Sequence, residues 1–519
     1  MHALPTVRRT PLLAAIALLT SCGSEVGAFP TRVSGGTFPT SCLGPVGGGT
    51  FYGKTEVEPF LAVDPTDPAH LVGVWQQDRY STGGAAGLLT GISFDAGSTW
   101  TTTSAPFSHC TGGNAVNGGD YERATDPWVT IAPDGTAHQL ALTFDVGVRG
   151  GNRAILASRS TDRGRSWSSP QVLQGDGDPS FALDKGSIAA DPQSASLVYA
   201  AWNRLTDQLT SNSPLARGPT WFARSTDGGA TWVPAKIIFD PGVDAQTLGN
   251  VVAVLPDGTL LNAMLVFTAL STTTTHAEVA VLRSADKGVT WSDPPVTVST
   301  VQNVTLLDPK THQAVRSGGA LPAIAVEAST GTAYVVWEDS RFSGGARNGI
   351  ALATSSDGGR SWSPPVQVNG APAVAAFTPA IAVGGGKVGV AYYDLREDDP
   401  ADTSRFLASS WLAVSADGGA TWQDTASAGP FDLRSAPSVI GGYFLGDYQG
   451  LGWDGTAFVS FFTATNSGNV SDRTSLLFRR VPPGASPMHA IFDAIRPDRL
   501  FRSWRRPTQV GVERARQAL

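Results

Sequence analysis

Apolar positions along this chain fall in short runs broken by turn residues. The stretch from 321 to 369 shows the pattern most clearly. LPAIAVEA (321–328) predicts a strand, STGT a turn and AYVVWED (333–339) a second strand. After the polar loop SRFSGGAR, NGIALATS (348–355) predicts a third strand and SPPVQVN (363–369) a fourth. The same layout fits EPFLAVDP…LVGVWQQDR from 58, DPWVTIAPDGT from 126 and GSIAADP…LVYAAWNR from 186. It also fits NVVAVLPDGT from 250 and TPAIAVGGGKVGVAYYDLR from 378. A last unit, 444–481, predicts three strands only.

Between the third and fourth strands of six units stands one repeated frame, S-x-D-x-G-x-x-W. It occurs as SFDAGSTW at 93–100, STDRGRSW at 160–167, STDGGATW at 225–232, SADKGVTW at 284–291, SSDGGRSW at 355–362 and SADGGATW at 415–422. A chain of this composition would hold about 0.01 such matches by chance. The frame reads as a turn. Its Asp can accept backbone N–H bonds, its Gly permits positive φ, and its Trp covers apolar surface. Asp95, Asp162, Asp227, Asp286, Asp357 and Asp417 are therefore read as folding devices, not catalysts.

Four antiparallel strands per repeat is the pattern of a β-propeller blade. The expected fold is an all-β propeller with six Asp-box hairpin turns and seven blades; six blades plus an accessory strand layer is the alternative. A last unit lacking its outer strand fits the seam of a closed ring, and the segment near 49–56 is expected to supply that strand. The domain division is 1–21 signal peptide with lipobox, 22–48 linker, 49–481 propeller and 482–519 Arg-rich tail.

Composition narrows the function. The chain has 519 residues, a formal charge of −7 and only 16% charged residues, with 59 Gly and 14 Trp. That excludes a disordered chain and a coiled coil. A basic footprint for nucleic acid is absent, so no nucleic-acid partner is expected. His residues are few and lack ligand spacing, so neither metal nor cofactor is expected. At the N-terminus, Arg8 and Arg9 precede a short apolar run ending in Leu19-Thr20-Ser21-Cys22. This resembles a bacterial lipobox, which implies cleavage before Cys22 and lipidation of its thiol. An ordinary secretory signal is the alternative. The protein is expected to be exported, as a cell-envelope lipoprotein held to the membrane through Cys22 or else secreted, and to be a monomer. With Cys22 lipidated, Cys42 and Cys110 remain to form a disulfide.

The six repeats resemble the Asp box of sialidase-like, BNR-repeat propeller proteins. The resemblance implies a glycan or glycoprotein substrate. It also implies an exo-sialidase-like site of three Arg on the sugar carboxylate, a Tyr nucleophile assisted by a Glu, and an Asp acid/base. Nearest in role are Arg79, Arg341 and Arg396, after second strands, accompanied by Asp339 and Asp394. Tyr448 is the best-placed Tyr, with Tyr393 second, and Glu58 or Asp126 can serve as acid or base. The chain departs from the family in lacking an Arg-Ile-Pro motif in its first unit. Two other readings stay open: a non-catalytic glycan- or protein-binding propeller, and a hydrolase of another polysaccharide using paired carboxylates such as Asp126 and Asp447. The recurring aromatic-x-D-x-R could equally be a structural ion pair repeated along the chain.

Overall fold

The computed structural model describes residues 29–484 apart from 46, 147–150, 179, 207–216 and 272–273. The lipobox with Cys22, and the tail beyond 484, lie outside the described residues. The chain is all-β, with four-stranded antiparallel sheets following one another.

Unit one holds Phe51–Val63, Leu71–Tyr80, Ala85–Ser93 and Thr101–Thr103. A single bridge, Ala85 to Ala124, joins it to unit two: Arg123–Ile131, Ala137–Phe144, Arg153–Ser160 and Gln171–Asp176. Unit three is Phe181–Asp191, Ser194–Thr206, Thr220–Ser225 and Lys236–Phe239; unit four is Ala245–Val254, Leu260–Ala269, Thr275–Ser284 and Val296–Thr300. Unit five is Ala323–Val326, Ala333–Asp339, Gly349–Ser355 and Val366–Gln367; unit six is Ala376–Gly384, Lys387–Asp394, Leu407–Ser415 and Gln423–Asp432. Unit seven is Gly450–Trp453, Phe458–Thr465 and Thr474–Val481, completed by Thr31–Arg32. The first strand of each unit touches the first strand of the next, and Gly450–Trp453 touches Phe51–Val63, so the inner strands close a circuit.

Second strands lie between two sheet neighbours and two adjoining units, which is why they read as continuous apolar runs. Every residue of Leu71–Tyr80 is buried. Trp337 packs with Leu261, Val279 and Val281 of the preceding unit.

All six repeats make the same turn. The Ser hydroxyl donates to the Asp carboxylate at 2.7–2.9 Å and accepts from the Gly N–H at 2.7–2.9 Å. The same carboxylate accepts the N–H and hydroxyl of the residue before the Trp. In each the Gly has positive φ and lies against the preceding unit: Gly164 on Ile92, Gly288 on Phe222, Gly359 on Leu261 and Gly97 on Phe478 of unit seven. At Gly97 a Cβ would come within 2.0 Å of the Phe478 ring. The repeat is thus both a turn and the seat of one unit on its neighbour.

The outer strand of unit seven differs from expectation. Thr31–Arg32 pairs with Phe478 and Leu477, whereas 51–56 opens the inner strand of unit one. The segment 22–48, expected to be a linker, therefore includes part of a sheet. A two-residue strand has no periodicity to read; tertiary contacts hold it, with Val33 packed beside Trp75 and Trp100. A disulfide joins Cys42 to Cys110 (Cα–Cα 5.0 Å).

Glu56 lies under this N-terminal strand. Its N–H donates to Thr474 Oγ1 at 3.0 Å, while among the described residues neither carboxyl oxygen makes a close hydrogen bond and Ser34 only tempers the effect of burial. Burial pushes its pKa up to about 8, against the pull of Arg32. The folded protein thus holds this proton up to about pH 8, and the unfolded chain releases it near 4.5. Stability from this group is complete below that lower value and is lost as pH rises toward 8, at about 1.4 kcal/mol per unit. Glu56→Gln is expected to flatten the fall in melting temperature between pH 5 and 8. An unchanged slope would remove Glu56 as its source.

Candidate active site

Five of the seven inner strands are interrupted at a corresponding place. Register shifts occur between Val57 and Phe60, Thr125 and Trp128, Asp184 and Ser187, Leu248 and Val251, and Phe377 and Ala380. At these bulges Glu58 (φ 52°), Asp126 (52°), Lys185 (45°), Gly249 (70°) and Thr378 (52°) have left-handed backbones. For a non-glycine residue such a conformation costs about 1–3 kcal/mol and must be imposed by its surroundings. Here the bulges of the first three units turn Glu58, Asp126 and Lys185 toward one another.

Lys185 is the centre of the resulting cluster. Its Nζ lies 2.6 Å from Asp447 Oδ2, 3.3 Å from Asp126 Oδ1 and 3.5 Å from Glu58 Oε1. Arg316 grips Asp447 with both arms, at 2.9 and 2.5 Å. All four residues around Lys185 except Arg316 are buried, and so is Lys185. Burial pushes Glu58 up to about 7, although Lys185 opposes it. Burial also disfavours ionisation of Asp447, but Lys185 and Arg316 outweigh it and hold that carboxyl well below its ordinary range. The same carboxylates keep Lys185 firmly charged despite its burial.

An open mouth cavity lies beside this cluster. Arg79, Asp126, Asp145, Arg153, Asp184, Lys185 and Arg316 supply its charged lining. Burial raises Asp184 to about 6, with Lys185 opposing. Arg79 is 2% exposed, and among the described residues no carboxylate pairs with it. Its Nη1 donates to Gln76 Oε1 at 2.6 Å, and its Nε has no hydrogen-bond partner. A buried guanidinium with an unused donor beside a cavity keeps the capacity to take a further acceptor. A second cavity is lined by apolar side chains including Phe60, Trp128, Leu321 and Ile381, and Lys185 borders both spaces.

The structure brings together Glu58, Asp126, Asp447 and Arg79, with Tyr448 beside them. It does not bring in Arg341 or Arg396. Arg341 pairs with Asp339 at 2.7 Å and with the Thr300 carbonyl; Asp339 also accepts from Trp337 Nε1. Arg396 pairs with Asp394 at 2.6 Å and Asp424 at 2.8 Å, and lies over Trp411. Arg396 and its two aspartates tie strands within unit six, Arg341 ties unit five to the Thr300 carbonyl of unit four, and none of these residues lines the mouth. Tyr448 Oη donates to the Pro127 carbonyl at 3.1 Å, and its ring packs near Trp128. Burial, then Glu58, Asp126 and Asp447, push its phenol pKa far above 10. That disfavours a phenolate nucleophile. Tyr393 Oη donates to the Thr463 carbonyl within the core. Asp184, Lys185 and Arg316 are charged residues that the sequence places on the entry loops of the mouth without giving them a role, and they complete the site; Arg153 and Gln76 also join it and carry no such signal.

No family model matches the chain. The chain is 28% identical over 348 residues to a sialidase of Micromonospora viridifaciens; the match takes in 59% of this chain and 46% of that protein. The chain thus matches about half the length of this relative. Among solved structures it is similar to the Hadza microbial sialidase Hz136 (TM-score 0.45, 15% identity, 81% of this chain and 74% of that one). It is also similar to an alpha-L-arabinanase of Penicillium chrysogenum (TM-score 0.45, 13% identity, 87% and 99%). A Trypanosoma rangeli sialidase matches with TM-score 0.39, 14% identity and coverage of 74% and 55%. In sequence, then, the chain is sialidase-like.

Lys185→Met would leave three buried carboxylates without their ammonium. Removing one partner of a buried pair costs about 3–5 kcal/mol. Urea unfolding is expected to show a loss of that order at pH 8. The deficit should shrink at pH 5, where Glu58 can take up a proton. A deficit independent of pH would mean that lost packing, not charge, is responsible.

Proposed function

We propose that the chain is a seven-bladed β-propeller acting as a glycoside hydrolase on a terminal sugar that carries a carboxylate, a sialic acid being the fitting example. The observation that carries this reading is Arg79, buried at the mouth with an unused donor and, among the described residues, no carboxylate partner. An Arg fork matches a carboxylate in two places, so the sugar acid is the natural occupant. Arg153 and Arg316 add positive charge on the same rim. The 28% identity to a sialidase supports the substrate class.

Asp184 is the proton donor in this scheme. It lines the cavity, and burial holds its proton to about pH 6, close to where a general acid works best. Asp126 lines the same cavity and supplies the second carboxylate, which stabilises the developing positive charge or directs water. Lys185 and Arg316 keep Asp447 ionised behind them, fixing the floor of the site. The carboxylates, not Tyr448, carry the chemistry. The Cys42–Cys110 disulfide supports an exported protein, and lipid anchoring through Cys22 is part of the same reading.

The test is release of free sialic acid from a mixed-linkage sialoglycoprotein. The wild-type chain is expected to release it, Asp184→Asn to abolish release, and Arg79→Ala to lower kcat/KM by about 100-fold, the worth of two charge-assisted hydrogen bonds. No release from folded wild-type protein would replace this reading with a binding propeller.

A further inference from the structure

Gln76 joins the anion site to the buried acid. It lies wholly buried on the second strand of unit one, between Arg79 and Glu58. Its Oε1 accepts from Arg79 Nη1 at 2.6 Å. Its Nε2 donates to Glu58 Oε2 and to Thr125 Oγ1, the latter at 2.8 Å. A guanidinium can only donate, so the amide cannot turn over without losing this bond. One face of Gln76 is therefore committed to the cation and the other to the carboxyl.

We propose that Gln76 couples occupancy of the Arg79 site to protonation of Glu58, so that a sugar carboxylate enters the mouth together with a proton. This rests on the mouth being a site for an anionic sugar. Glu58 is 1% exposed and does not line the cavity, so it cannot touch the ligand itself. It meets Lys185 from the third inner strand, Asp126 from the second and Asp447 from the loop before the seventh. Arg79 from its own sheet acts on it through Gln76, and Tyr448 and the Arg316–Asp447 pair complete its surroundings. Arg79 favours the Glu58 carboxylate, and Glu58 favours the charged guanidinium. An anion seated on Arg79 cancels that support and adds its own repulsion. The proton affinity of Glu58 then rises. By linkage, protonation of Glu58 strengthens anion binding by the same factor. Gln76 is a positioning residue in this scheme: it holds the two charges at a fixed separation, out of water.

Glu58 titrates near pH 7, so binding there can draw up to about half a proton from the buffer. The sugar acid is fully ionised at that pH and supplies none. The experiment is calorimetric titration of the full chain with free sialic acid at pH 7, in phosphate and in Tris, whose ionisation enthalpies differ. Wild type is expected to take up a proton fraction on binding. Glu58→Gln, nearly the same shape, is expected to bind with none. Gln76→Met is expected to bind more weakly with a reduced uptake; melting curves check that both variants fold, and Glu58→Gln alone decides if Gln76→Met does not. Binding by wild type with no buffer dependence overturns the proposal. So does uptake that persists in Glu58→Gln, which would assign the proton to Asp184 on the cavity wall. Absence of any binding is a different failure: it removes the anionic-sugar reading, and this coupling with it.

Discussion

The site depends on one ammonium held within 3.5 Å of three carboxylates that come from three different units. Glu58 belongs to unit one, Asp126 to unit two, Lys185 to unit three and Asp447 to the lead-in of unit seven. None of the carboxylates could stay charged in this interior alone, because the loss of hydration would far exceed any neutral contact. Lys185 offsets that loss for all of them together. The constraint is geometric as well as electrostatic, since the four groups meet only when the circuit of inner strands closes.

Closure is enforced on the opposite rim. The six repeats place a turn of identical hydrogen bonding against the preceding sheet, and the first of them seats Gly97 on Phe478 across the seam. The Thr31–Arg32 strand and its disulfide-tethered continuation add a second fastening at the same seam. One rim thus gathers residues whose task is uniform, and the other is left to vary. The left-handed bulges connect the two tasks. A regular inner strand would send alternate side chains into the channel wall, whereas the bulges at 58, 126 and 185 redirect three charged side chains to a common point.

The aromatic-x-D-x-R pattern shows why repetition alone misleads. In units five and six it gives ion pairs folded back on their own sheets: Asp339 with Arg341, Asp394 with Arg396. In unit one the position equivalent to the partner acid is Gln77, which accepts from Trp75 Nε1. Asp78 instead serves Thr37, Phe38 and Lys54. Among the described residues Arg79 is thereby left without a carboxylate partner, and it lines the mouth. The difference is small in sequence. Its consequence is visible only when the contacts of Asp78 with the N-terminal segment are known.

Strand layout, the repeated turn and the roles of its Ser, Asp and Gly were set by local sequence. A turn closes over eight residues, and its hydrogen bonds need nothing from farther away. The ranking of charged residues was decided by the tertiary structure alone. Lys185 and Arg316 are unremarkable in sequence, yet their partners lie 262 and 131 residues away. Electrostatic effects act across space, so residues alike in spacing along the chain acquire different chemistry once burial and ring closure choose their neighbours.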